Sequence, residues 1–200
     1  TDGTKGLVHL EAGYANTDRL VVLDLAVSED PGGLVSKALS IPDQPSLDLT
    51  VNGQGPLDEY VATITLATDG DPRLSGQVAT HALADLDDNG AETGETTRHF
   101  GLDLTGDLAP LFAPQYASFF GPNISVTALM RQLADGHMRL DQLLINARSM
   151  QILGEMTLSP DNLPAFMAFD VTLSDPQNNR IYLPGTDGVS LANGTIIARY

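Results

Sequence analysis

Oxygen-bearing side chains alternate along one short acidic stretch near the middle of the chain. Asp85, Asp87 and Asn89 are followed by Gly90, which is the order of the first ligands and the glycine in a calcium-binding loop. Such a loop also needs an acidic residue at its last position, where this chain has Thr96. Two interpretations stay open. One is a calcium site formed by Asp85, Asp87 and Asn89. The other, which we favour, is a solvated acidic loop over residues 85–97 between two strands.

No other group of residues has the spacing of a catalytic or metal centre. The four histidines share no metal-ligand spacing, and cysteine is absent. The chain has neither a G-x-S-x-G nucleophile motif nor a phosphate-binding loop. Carboxylates are so numerous that the nearness of two of them would not indicate acid–base catalysis. We therefore expect a protein that is not an enzyme, with no cofactor and no resident metal.

The net charge excludes whole classes of partner. The chain has 200 residues, with 10 Lys and Arg against 26 Asp and Glu, so its formal net charge is −16. A nucleic-acid-binding protein needs a basic face that displaces counterions from phosphates, and we expect no nucleic-acid partner. An anionic membrane surface is disfavoured for the same electrostatic reason. Hydrophobic residues make up 42% of the chain, so it is not plainly disordered.

A hydrophobic period of two dominates the chain and indicates the elements that position these residues. Leu47, Leu49 and Val51 alternate with polar residues, as is typical of a strand with one apolar and one wet face. Similar runs recur about every 10 residues, separated by clusters of Gly, Pro, Asn and Asp that are typical of turns. The sequence predicts a mainly β fold, an antiparallel up-and-down sheet with little helix to cover it.

Two segments depart from this period. Residues 31–42 place apolar residues at helical spacing between two prolines, which predicts a short amphipathic helix. Residues 108–120 contain two prolines and predict one or two helical turns with a proline break. We expect residues 1–200 to form a single β-rich segment. Because the chain lacks an initiating Met and stops at a strand-like run, we also expect it to be part of a longer protein.

Three stretches of the chain resemble a known family. Residues 31–57 contain the strings PGGL, PSLDL and GQGPL, residues 102–121 contain GDLAPLF and FFG, and residues 134–141 follow as ADGHMRLD. These strings resemble the repetitive periplasmic region of the TamB (translocation and assembly module B) family, of the AsmA-like group, in its alphaproteobacterial form. The similarity extends over about residues 7–200, with residues 85–97 as a variable insert.

The resemblance implies both a shape and a function. The implied fold is a long curved sheet, U-shaped in cross-section and called a β-taco, with an apolar groove. The implied ligands are phospholipid acyl chains, and the implied role is phospholipid transport between the inner and outer membranes together with support of outer-membrane protein assembly. The family acts with an outer-membrane barrel partner, TamA. A periplasmic location, with an inner-membrane anchor outside this chain, is implied in the same way.

The apolar members of the alternating pairs are the candidate groove lining. They are Leu47, Leu49, Val51, Ile64, Leu66, Leu102, Leu104, Leu143, Ile145, Ile152, Met156, Leu158, Phe169, Val171 and Leu173. A register slip of one residue would turn a strand's whole set to the other face. An isolated segment would need to cover its groove by self-association through the groove or the sheet edges, by bound lipid, or by the helical segments.

A second function from a different class also follows from the sequence. If Asp85, Asp87 and Asn89 bind calcium, the chain is a secreted, calcium-stabilised β-rich adhesion or binding module.

Overall fold

The strands of the computed structural model follow the predicted alternation. The structure describes residues 5–17, 19–86, 89–186 and 188–200. Within these residues, eleven strands form one curved antiparallel sheet, here called the main sheet. Its strands are, in spatial order, β1 (Gly6–Ala15), β2 (Leu20–Glu29), β3 (Leu47–Pro56), β4 (Glu59–Thr68), β5 (Asp71–Leu86), β6 (Glu92–Gly106), β7 (Ile124–Gln132), β8 (Met138–Ala147), β9 (Met150–Leu158), β10 (Pro164–Ser174) and β13 (Asn193–Arg199). The predicted mainly β, up-and-down antiparallel class is confirmed.

Neighbours in the main sheet are almost always neighbours in sequence. The exception is the step from β10 to β13, where β11 (Ile181–Tyr182) and β12 (Ser190–Leu191) pair separately as a small hairpin. One of the two-residue turns uses residues that accept a left-handed backbone. Asp69 and Gly70 join β4 to β5 with φ angles of 51° and 79°, as a two-residue hairpin turn of the right twist requires.

The connections alternate between two ends of the main sheet because successive strands run in opposite directions. At one end, here called the turn end, the connections are short and cover residues 16–19, 57–58, 87–91, 133–137 and 159–163. At the opposite end, here called the insert end, three connections are long: residues 30–46, 107–123 and 175–192. These three inserts follow β2, β6 and β10, so a long insert recurs after every fourth strand.

Each insert carries its own small element of secondary structure. The first holds helix α1 (Leu34–Ala38), and the third holds the β11–β12 hairpin. The second holds two 3₁₀ turns (Ala109–Leu111 and Pro114–Tyr116) followed by helix α2 (Ala117–Phe120). Prolines stand at the start of both 3₁₀ turns, where a missing N–H costs no helical hydrogen bond.

The helix predicted over residues 31–42 is shorter and oriented differently from the prediction. Helix α1 has only five residues. Leu34 is 81% exposed, whereas Ser36 is fully buried. The physical reason is a polar contact, because the Glu29 carboxylate accepts hydrogen bonds from the backbone N–H groups of Val35 (2.8 Å) and Ser36 (2.7 Å). That contact turns the polar side of the helix inward.

The loop predicted over residues 85–97 is strand over most of its length. Strand β5 continues to Leu86 and β6 begins at Glu92, with Ala84 paired to Thr96. Threonines in the stretch favour extended backbone and supply cross-strand contacts. The Thr97 hydroxyl donates to the Asp85 carboxylate at 3.0 Å. The acidic composition of this hairpin concealed its strand character.

Candidate functional site

Register places all of the candidate groove-lining residues on one face of the main sheet. Residues directly opposite each other in an antiparallel pair project to the same face. Leu49 pairs with Leu66, and Ile145 pairs with Ile152, which pairs in turn with Val171. Followed from strand to strand, these pairs bring together all 15 predicted residues, from Leu47 on β3 to Leu173 on β10. This surface is here called the apolar face.

The apolar face extends across more strands than those that hold the 15 predicted residues. Strands β1, β2, β5, β7 and β13 add further apolar side chains to the same face. These are Val8, Leu10, Leu23, Leu25, Val27, Leu74, Val78, Val126, Met130 and Ile196, with Phe100 on β6 and Leu140 on β8. In β2 the alternation was hidden, because residues 20–23 are all apolar. In β1 and β7 the alternation of apolar and polar residues is visible in the sequence and could have identified their lining residues, although none was among the 15 predicted.

One row of paired residues shows how continuous the apolar face is. The row crosses the main sheet from edge to edge, and its only member without a side chain is Gly76. Its members are Leu10, Leu25, Val51, Ile64, Gly76, Leu104, Val126, Ile145, Ile152, Val171 and Ile196. Adjacent strands lie about 4.8 Å apart, so neighbouring side chains in this row form an apolar track with one gap, at Gly76.

The opposite face carries most of the charge. Asp48 and Asp103 are exposed there, together with the neutral Gln77. Arg131 and Asp141 form a bidentate ion pair on this face at 2.6 and 2.7 Å. The hydrogen bond from the Arg131 guanidinium holds the pKa of the Asp141 carboxyl below its usual value. The main sheet is therefore polar and charged on one side and apolar on the other.

Within the part of the chain that the structure describes, no second sheet or long helix covers the apolar face, and the inserts pack on it at the insert end. Extensive contacts between its elements join only neighbouring strands, neighbouring turns of the second insert, and the β11–β12 hairpin. The accessible surface is 12130 Å², about one third more than a compact monomer of this mass exposes. A sandwich or closed barrel would bury its inner face, and this sheet does not.

Burial differs between the two ends of the apolar face. At the insert end, Phe119, Leu173 and Ile181 form a buried cluster that brings the second and third inserts onto β10. Phe120 stacks on Phe112 with ring centroids 4.0 Å apart. At the turn end, four methionines occupy half-buried positions: Met130, Met138, Met156 and Met167. These four residues are here called the methionine patch. Pairing joins them through Leu140 and Leu158.

A buried carboxylate attaches the first insert to the main sheet at the insert end. Glu29 lies on the apolar face opposite Leu47 and is 6% exposed. Burial alone would raise the pKa of its carboxyl, but the hydrogen bonds from the N–H groups of Val35 and Ser36 outweigh that effect and leave the pKa below its usual value. The group is therefore ionised, and it holds α1 in place.

The candidate calcium ligands have other partners or lie outside the described residues. Asp85 accepts hydrogen bonds from Thr97 through its carboxylate and from Thr93 through its backbone oxygen. Asp87 lies outside the described residues. Among the residues that are described, no three His, Asp or Glu side chains are grouped as a metal site requires. The calcium site therefore stays a prediction.

The fold and the face define the molecule as a single-layer antiparallel β-sheet with one apolar side. In the described part of the chain, no helix is long and apolar enough to cross a membrane. Comparison of the chain with protein-family models, with curated proteins and with solved structures finds no match.

Proposed function

We propose that this chain is a non-enzymatic lipid-binding segment of the TamB type, and that its apolar face holds phospholipid acyl chains. The observation that carries the proposal is an apolar face that spans the main sheet and has no second sheet packed over it, the inserts covering the insert end alone. Burying a methylene group contributes roughly 0.8 kcal/mol, so an acyl chain that covers several rows would gain substantial binding free energy.

Side-chain exposure supports a sheet that bends with its apolar face inward. Large apolar residues on the opposite face, such as Leu129 and Leu153, are both 46% exposed. On the inner strands of the apolar face, Val51, Ile64 and Ile145 are half-buried although no second sheet covers them. On its edge strands, Leu10 and Ile196 are 63% and 58% exposed. Crowding on an inner, concave surface accounts for this difference. A U-shaped groove of this kind would place lipid tails inside and leave head groups at its rim.

The apolar side chains on successive strands are nearly equivalent, and this similarity supports transport as well as binding. A chain that moves by one strand leaves one set of Leu, Ile and Val side chains and meets another of the same kind, so the free energy changes little. Following the family resemblance, we assign this role to phospholipid movement across the periplasm, with TamA as the outer-membrane partner and support of outer-membrane protein assembly as a linked function.

Matched substitutions on the two faces test the proposal. The chain is purified without detergent, and bound lipid is measured by mass spectrometry. Ile145→Asp places a charge in the middle row of the apolar face, whereas Leu153→Asp on β9 places the same charge on the opposite face.

We expect phospholipid to accompany the unmodified chain and the Leu153→Asp variant, and Ile145→Asp to retain at least tenfold less. A lipid-free chain whose apolar faces pack together in a dimer would contradict lipid binding by this chain and would assign the face to self-association.

A further inference from the structure

A single arginine interrupts the apolar face at its turn end. Arg98 lies on β6, two residues before Phe100 and therefore on the same face. Its paired neighbours are Ala82 on β5 and Gln132 on β7. The side chain is 28% exposed, so its stem lies against neighbouring residues while part of the guanidinium reaches solvent.

The hydrogen bonding of this guanidinium is incomplete. Nη2 lies 3.5 Å from Asp58 Oδ1, and Nη1 lies 3.5 Å from Gln132 Oε1. Both distances are at the outer limit for a hydrogen bond. Its Nε is buried and has no acceptor among the residues that the structure describes. In contrast, Arg131 places Nε 2.6 Å from Asp141. A buried donor without an acceptor is unfavourable. The terminal nitrogens, which have only long contacts in a side chain that is 28% exposed, are the part of the guanidinium that an incoming anion would reach first.

The carboxylate that Arg98 reaches is shared with a second arginine. The Asp58 carboxylate already accepts hydrogen bonds from both terminal guanidinium nitrogens of Arg19. Two guanidinium groups therefore share one carboxylate at the turn end, although the chain as a whole carries a net charge of −16. Immediately beside Arg98, the apolar face continues through Phe100, which pairs with Met130 of the methionine patch.

We propose that Arg98 is a head-group site, which binds the anionic oxygens of an amphiphile whose acyl chain lies on Phe100 and the methionine patch. Carboxylate and phosphate groups both accept the paired N–H donors that a guanidinium presents. Methionine side chains adapt to apolar ligands of varied shape, which suits a site that takes chains of different length and unsaturation. This inference rests on the proposed lipid-binding function and adds to it the position and charge of the head group.

A matched pair of fluorescent ligands tests the site. Parinaric acid and its methyl ester share one chain and differ in the negative charge. We expect the unmodified protein to bind the acid about tenfold more tightly than the ester, the size of effect typical of a hydrogen bond to a charged group. Arg98→Gln should remove most of that preference without weakening binding of the ester. Arg139→Gln, which removes a positive charge from the opposite face, should leave the preference unchanged.

Each outcome separates this inference from the function on which it rests. Equal binding of acid and ester by the unmodified protein would overturn the head-group site and leave acyl-chain binding intact. If neither ligand binds, both proposals fail. The ratio of the affinities of the unmodified protein for the acid and for the ester tests the head-group site even if Arg98→Gln does not fold.

Competition distinguishes the sources of the anion. Displacement of parinaric acid by lysophosphatidic acid supports a phospholipid phosphate as the natural head group, whereas displacement by oleate alone supports a fatty-acid carboxylate. Displacement by inorganic phosphate alone, at a concentration similar to that of the lipid, would overturn the proposal because the acyl chain would then contribute nothing.

Discussion

The insert end and the turn end of the apolar face share one sheet but differ in what covers them. At the insert end, Phe119 of the second insert and Ile181 of the third insert pack with Leu173 of β10 in a buried cluster. Glu29 fixes the first insert. At the turn end, short turns leave the methionine patch half-buried. Tyr60 and Ala62 of β4 are also buried near the turn end, so the contrast lies between the buried cluster and the methionine patch. We infer that the cluster stabilises the sheet while the methionine patch stays accessible to a ligand.

The largest expected effect on stability lies in the buried cluster of the insert end. Phe119→Ala should lower the free energy of unfolding by about 3–5 kcal/mol, because it removes a buried aromatic ring and leaves a cavity. Met156→Ala at the turn end should cost about 1 kcal/mol, since its side chain is only half-buried. Urea unfolding monitored by circular dichroism measures both values. Equal losses at the two ends would remove the distinction between them.

Glu29 should give the next largest effect, together with a pH dependence. Glu29→Gln should cost about 2 kcal/mol, the value typical of hydrogen bonds to a buried charged group. Folding holds the pKa of this carboxyl below its usual value of 4.5. The stabilisation is therefore fully present above that value and is lost as the pH falls through the lower pKa of the folded state.

Melting temperatures of the unmodified chain and of Glu29→Gln, measured across the acidic range, check this sign. The gap between the two curves should be widest near neutral pH and should narrow in acid. A gap that widens as the pH falls would show that the Glu29 carboxylate does not stabilise the insert end.

The smallest expected effect concerns the long β5–β6 hairpin at the turn end. Because Asp85 is engaged by Thr97 and Thr93, chelation with EDTA should change the melting temperature by less than about 1 °C, which is below the several degrees that a stability change of 1 kcal/mol produces. A fall of several degrees, reversed by added calcium, would support the calcium-stabilised adhesion module.

Much of the fold could be predicted from the sequence because the period of two is a local property. The alternation of Leu47, Leu49 and Val51 determines which residues share a face as soon as the segment is a strand. The hairpin around Asp85 was missed because its polar composition resembles that of a loop and it has no apolar alternation, so its strand character is visible only in the pairing of β5 with β6. The orientation of α1 was missed because it depends on Glu29, which lies outside the helix.

The candidate site was only partly predictable for the same reason. The lining residues of single strands could be chosen from the sequence, but their union into one face depends on the register between strands, including shifts between Leu66 and Ala67 on β4 and between Leu140 and Leu143 on β8. Arg98 gave no signal in the sequence, because a lone arginine in a polar stretch becomes distinctive only when its neighbours on the sheet are known.

Photolabelling with a diazirine-bearing phospholipid tests the central claim most directly. The lipid is activated on the purified chain, and the labelled residues are mapped by mass spectrometry. Lipid binding on the apolar face predicts labels on residues such as Ile152, Met156 and Val171, with few on Leu129 or Leu153 of the opposite face. Labels spread equally over both faces, or no label above that of a denatured control, would contradict it.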